Sequence, residues 1–221
     1  MSGSNRLARL VPLAGVVFAV LTVAGYLTIG PFPDSDASVS ELTSFYAAHH
    51  GQVAAGGQLL GLAAIFLALF GTAVWARIRS TDLHPVVAGT ALVATAMAAV
   101  SWVDGAGTYS ILGEIGHQPW LLPAALQAVQ VGGTVGGIDG GTVLFLLAVA
   151  TAGIAGRAFP RWLALPALAL AILYLTPYGF YASLLVLLWA AVTGIVMAMR
   201  PAARVPATTE VAAPPWVAVQ R

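Results

Sequence analysis

The chain contains no cysteine and no lysine. Without cysteine there is no disulfide, no thiolate metal ligand and no thiol nucleophile, which excludes a large share of redox and covalent chemistry. Charge of either sign is scarce, at 8% of 221 residues against roughly 25% in an ordinary soluble domain. The formal net charge is +1 and no long basic run occurs. That argues against nucleic acid as a partner, because phosphate neutralisation needs clustered positive charge. What fills the chain is apolar: 59% hydrophobic residues and a mean hydropathy of +0.90. This composition predicts an all-α, polytopic membrane protein whose first partner is the lipid bilayer. Arginine without lysine, beside abundant Ala, Gly, Val and Leu, suggests a GC-rich bacterial genome.

The few cations present are ordered. They fall as Arg6 and Arg9, Arg77 and Arg79, Arg157 and Arg161, Arg200 and Arg204, with Arg221 last. Each interval between pairs is long enough to cross a bilayer twice, so every arginine falls on one side. The positive-inside rule assigns that side to the cytoplasm and places both termini there.

At a rise of 1.5 Å per residue, about 20 residues cross the ~30 Å hydrocarbon core. The first span runs from about Arg9 to Ile29. It is longer than the roughly 7 to 15 apolar residues of a signal peptide and no small-x-small cleavage site follows convincingly, so it reads as retained. After Pro31 and Pro33, Ser38-Val39-Ser40-Glu41 has capping-box spacing, and Leu42, Phe45 and Tyr46 recur at helical intervals. This predicts a short interfacial helix in the first outer loop. Span two runs from about Gln52 to Ala76 and span three from Val86 to about Gly105. The segment Tyr109 to Gly137 is interrupted by Glu114, His117, Pro119 and Pro123, which predicts an outer loop with an interfacial helix from Pro123 onward. Span four runs from near Ile138 to Arg157, with a start uncertain by several residues because Ala124 to Gly137 could extend it. Trp162 to Met199 is 38 residues without a formal charge, and Thr176-Pro177-Tyr178-Gly179 near its middle is turn chemistry, so it reads as a hairpin of two spans. The expected organisation is a six-helix transmembrane domain over 1–200 and a flexible cytoplasmic tail over 201–221.

The stretch Gly30-Pro31-Phe32-Pro33-Asp34-Ser35-Asp36, continued by Phe45-Tyr46-Ala47-Ala48-His49, is joined by Pro160-Arg161-Trp162-Leu163 at the opening of the last hairpin. With the spacing of the spans, these residues resemble a group of uncharacterised six-span bacterial integral membrane proteins over about residues 5 to 200. The resemblance implies a fold and a cell (inner) membrane location. It carries over no reaction and no catalytic residue.

Three patterns could carry function. Gly132, Gly133, Gly136, Gly137, Gly140 and Gly141 repeat at intervals of four and form adjacent stripes on one helix face, the small-xxx-small arrangement of close helix packing. Such stripes serve packing within the chain, a second copy, or another membrane protein, or they loosen the helix around a ligand. The run is not a phosphate loop, since no strand precedes it and no Lys-Ser/Thr follows. Second, Asp104 lies 19 residues after Pro85, Asp139 lies 18 before Arg157 and Gln58 lies 19 before Arg77. Each is thus about 27 to 29 Å from the arginine side. One reading is wet helix ends; the other is an outward-facing polar pocket walled by spans two, three and four, with Tyr26 or Tyr178 contributing. Two carboxylates meeting there would suit proton coupling or capture of a cation.

Third, His49, His50 and His117 fall outside, near Glu41 and Glu114. Adjacent histidines on a helix point about 100° apart, unlike the i, i+4 pair of a zincin, and no HExxH is present, so no metal site is assigned. Ser101 and Ser110 flank Asp104 without a Gly-x-Ser-x-Gly elbow, so no nucleophile is assigned either. Trp75, Trp102, Trp120, Trp162 and Tyr109 read as interfacial belts. No cofactor is implied. The functional expectation is binding or movement of a small molecule or lipid through the outer pocket; the alternative is a non-catalytic accessory or structural subunit packing through the glycine stripes.

Overall fold

The computed structural model describes residues 10–31, 33, 37–118, 120–126, 139–176 and 178–200. Among them no strand occurs. The main helices are α1 (Ala14–Ile29, entered through a 3-10 turn at Val11–Leu13), α2 (Val39–Arg79), α3 (Pro85–Ile115), α4 (Gly140–Ile154), α5 (Arg161–Tyr174) and α6 (Gly179–Met199). A further helical turn covers residues 122–126.

Local chemistry explains the boundaries. Gly30 ends α1 with φ +85°, a left-handed conformation that glycine adopts without strain, and Pro31 follows. The Ser38 hydroxyl oxygen accepts from the Glu41 N–H at 3.3 Å while the Glu41 carboxylate accepts from the Ser38 N–H at 2.7 Å, so the capping box read from the sequence opens α2. Pro85 occupies the first turn of α3, where its missing N–H costs nothing, and His84 Nδ1 accepts from the Val86 N–H.

Val11–Ile29, α2, α3 and Tyr181–Met199 are long and apolar enough to cross a membrane. The other two are apolar but contain 15 residues (α4) and 14 residues (α5). At 1.5 Å per residue they measure about 22 and 21 Å.

Each helix packs against its neighbours in the chain, and α6 returns to pack against α1, so the bundle is a closed ring in sequence order. Close backbone approach sets the contacts. A Cβ on Gly25 or Gly56 would collide with the facing helix of the α1–α2 pair, and one on Gly141 would fall under 3.0 Å from backbone atoms of Met97 and Ala98 on α3. Small residues allow this approach, and dispersion between backbones then holds helices that lipid would otherwise solvate equally well. On the ring axis Phe70 (α2), Phe145 (α4) and Trp189 (α6) pack mutually edge-to-face, with centroids 6.1, 6.3 and 6.2 Å apart. All three are buried.

Two elements differ from the sequence expectation. The helix expected to lie alone in the first outer loop forms, but it continues into α2 through a kink at His49 (φ −115°, ψ 16°). The third helix does not stop near Gly105; it runs ten residues further, to Ile115. Both extensions share one cause. Ile29, Tyr46, Val53, Leu60, Leu112, Leu122 and Leu126 form a second buried cluster beyond the main core, and burying it rewards continuing both helices. Of the interfacial helix expected from Pro123, residues 123–126 are helical and 127–138 lie outside the described residues, as does the tail over 201–221.

Candidate functional site

At the end of the ring opposite Arg77 and Arg200 lies a cavity of about 440 Å³ to which every main helix contributes. Tyr26 comes from α1, Leu60 from α2, and Ser101, Trp102, Gly105, Ala106 and Tyr109 from α3. Asp139 stands at the start of α4, Tyr174 at the end of α5, and Gly179 and Ser183 on the first turns of α6. The α3 contributors fall at i, i+1, i+4, i+5 and i+8, one helical face.

Asp139 is the carboxylate of this cavity. It N-caps α4: the Thr142 N–H donates to Oδ1 at 3.1 Å and the Thr142 hydroxyl donates to Oδ2 at 2.6 Å. Each carboxylate oxygen has two lone-pair sites, so acceptor capacity toward the cavity remains. Tyr174 lines the same cavity as Asp139. Tyr26 and Tyr109 pack edge-on, with centroids 6.5 Å apart, and Trp102 packs edge-on against Phe18 at 5.2 Å. One turn before Tyr26, the Thr22 hydroxyl is fully buried and has no partner among the described residues. The cavity thus combines one carboxylate, three phenols, an indole and two serine hydroxyls on an otherwise apolar wall.

Of the residues chosen from the sequence, Tyr26 and Asp139 line this cavity. Gln58, Asp104 and Tyr178 are exposed and lie outside the lining. Gln58 and Asp104 lie on other faces of their helices. Gln58 is two residues before Leu60, roughly 200° around α2, and Asp104 points away from the face that carries Ser101, Gly105 and Tyr109. The meeting of two carboxylates is therefore absent from the lining. Trp102 and Tyr109, read as belt residues, instead help form the cavity, whereas Trp120 and Trp162 are exposed, as belt residues would be. Tyr174 and Ser183 join the lining without belonging to a motif. The signal for Ser183 was its spacing of four from Gly179, and for Tyr174 its place just before the Thr176-Pro177-Tyr178-Gly179 turn.

Of the glycine stripes, Gly132, Gly133, Gly136 and Gly137 lie outside the described residues. Gly141 packs within the chain against α3, and Gly140 faces open space. At the end of the bundle away from Arg77 and Arg200 the His50 and His117 ring centroids lie 6.3 Å apart, and His49 stacks on Phe45. Among the described residues no group of three or more His, Asp or Glu side chains gathers in a metal-binding arrangement.

No protein-family model matches the chain, and no curated protein or solved structure matches it significantly.

Proposed function

We propose that the protein is a six-span bacterial inner-membrane protein, with both termini cytoplasmic, that binds a small molecule or a lipid headgroup in the outward-facing cavity around Asp139. The observation that carries this reading is that all the main helices converge on one cavity containing a carboxylate, tyrosines and an indole. Pockets of this kind, mostly apolar with a few convergent polar groups, are the usual form of small-ligand sites. A carboxylate beside aromatic faces suits a ligand with a cationic or hydrogen-bond-donating head and an apolar body.

The six-span topology is supported by the position of the arginines. Arg77, Arg157, Arg161 and Arg200 gather around one cavity at the opposite end of the ring, although they come from widely separated points in the chain. Even numbers of crossings between them produce that gathering, and the positive-inside rule makes it the cytoplasmic end. Between the two ends the Phe70, Phe145 and Trp189 rings fill the axis, so this conformation favours capture at the outer side over open conduction.

The test is identification by mass spectrometry of what co-purifies with the protein in native-lipid discs, for wild type, Asp139→Asn and Asp104→Asn. A small molecule or a single lipid species retained by wild type and by Asp104→Asn, and lost from Asp139→Asn, is the expected result. Only bulk lipid in all three would overturn the proposal.

A further inference from the structure

The arginine end of the ring contains a second cavity, of about 460 Å³, between the end of α2, the α4–α5 turn and the end of α6. Four of its lining residues are Arg77, Arg157, Arg161 and Arg200, and none is acidic. Arg77 is half-buried, and its guanidinium is fixed by two hydrogen bonds: Nε–H donates to the Ala158 carbonyl at 3.0 Å and an Nη1–H donates to the Arg200 carbonyl. A guanidinium has five N–H donors, so the same bonds that aim it leave three for a ligand. Arg157 has a left-handed backbone, φ 55°, an uncommon conformation for a residue with a Cβ. An arginine in the position of a turn where glycine would be at ease points to a role for its side chain.

Immediately beyond Arg161 an apolar groove begins. It has a volume of about 410 Å³, starts at Trp162 and follows Pro166, Ala169 and Leu173 along α5, with Leu185 and Leu188 of α6 as its other wall. A fork of guanidiniums recognises phosphate oxygens, often bidentately. A basic pocket among membrane helices on the positively charged side suits a phospholipid headgroup. The adjoining groove gives one acyl chain a surface that is apolar along its whole length. A free phosphate would use the first feature and leave the second without purpose.

We propose that the Arg77, Arg157, Arg161 and Arg200 cavity binds the phosphate of an anionic phospholipid, with one acyl chain laid in the α5–α6 groove. This site is separate from the outer cavity and does not depend on Asp139. Its occupant would sit across the α4–α5 turn and the end of α6, joining the segments that close the ring.

The full-length protein is titrated with phosphatidylglycerol, with phosphatidylcholine and with inorganic phosphate, with binding followed by native mass spectrometry and by thermal unfolding. Wild type should prefer phosphatidylglycerol over phosphatidylcholine by about tenfold or more, a ratio expected from charge-assisted hydrogen bonds to an otherwise unneutralised headgroup. Arg157→Gln and Arg161→Gln, separately and together, should abolish that preference; both side chains are exposed, so neither change removes a core contact. Arg79→Gln is the control: this arginine stacks on Trp75 at the same end, 5.3 Å from the ring centroid, and does not line the cavity. Equal retention of the two lipids would overturn the proposal. So would an equal loss from Arg79→Gln, which indicates general surface charge, or displacement of phosphatidylglycerol by inorganic phosphate at comparable concentration, which indicates a free-anion site. Should the double variant fail to fold, the lipid comparison and the phosphate competition on wild type still decide.

Discussion

Trp189 of α6 donates its indole N–H to the Leu163 carbonyl of α5 across 3.0 Å in the buried core. This bond joins the two helices with the least extensive contact in the ring, one turn from Pro166, where α5 lacks a backbone donor. The same indole packs against Phe70 and Phe145, so one side chain both fastens the α5–α6 hairpin and fills the ring axis. Trp189→Phe keeps most of the ring contact and loses the bond. It should lower stability by about 1 kcal/mol, the usual net worth of a hydrogen bond, read as a lowered thermal midpoint in detergent or discs. An unchanged midpoint would mean the bond contributes nothing to closure.

Asp139 has two duties that different substitutions separate. Asn is also a good N-cap, so Asp139→Asn should preserve α4 while removing the charge from the cavity. Asp139→Ala removes both and should cost about 1 kcal/mol of stability in addition. Thermal unfolding read beside ligand retention distinguishes them. Equal destabilisation by both would show that the charge itself holds the fold.

Adjacent glycines should respond differently to a methyl group. Gly141→Ala places a Cβ against Met97 and Ala98 backbone, which cannot swing away, and should cost about 1 to 3 kcal/mol through overpacking. Gly140→Ala meets open space and should be neutral or slightly stabilising. Matched unfolding curves of the two variants check the α3–α4 contact directly.

The Thr193 hydroxyl is buried on α6 without a partner among the described residues. Thr193→Val replaces it with a methyl group of similar shape and should raise stability by about 1 kcal/mol, since an unsatisfied buried hydroxyl is a cost. A lower midpoint would show that a water or ligand satisfies it in the membrane.

Orientation can be read with thiol chemistry because the native chain has no cysteine to react. Ser44→Cys lies near the start of α2, on the side proposed to be outside, and Ser80→Cys at its arginine end; both positions are exposed. A membrane-impermeant maleimide applied to intact cells should label the first and reach the second only after lysis. The reverse pattern would invert the proposed topology.

Much of the fold was legible because its signals are one-dimensional. The capping box at Ser38 and Glu41 and the turn after Tyr174 are local, and each formed where the sequence placed it. The helix opened by Ser38 and Glu41 continues into α2, and α3 runs on past Gly105, because both bury a tertiary cluster that includes Tyr46 and Leu112, and no single segment announces it.

The sequence by itself determined that this is a chain of apolar helices and that its arginines fall in pairs separated by long, nearly uncharged stretches. Tertiary structure decided which side of each helix faces inward, and so why Asp139, Tyr109 and Tyr174 share the cavity while Asp104 and Gln58 do not. In a soluble bundle an apolar stripe marks the inner face. Here lipid-facing and core-facing surfaces are equally apolar, so helix rotation is fixed by contacts such as Gly141 on Ala98 and Trp189 on Leu163, which exist only once neighbouring helices have packed.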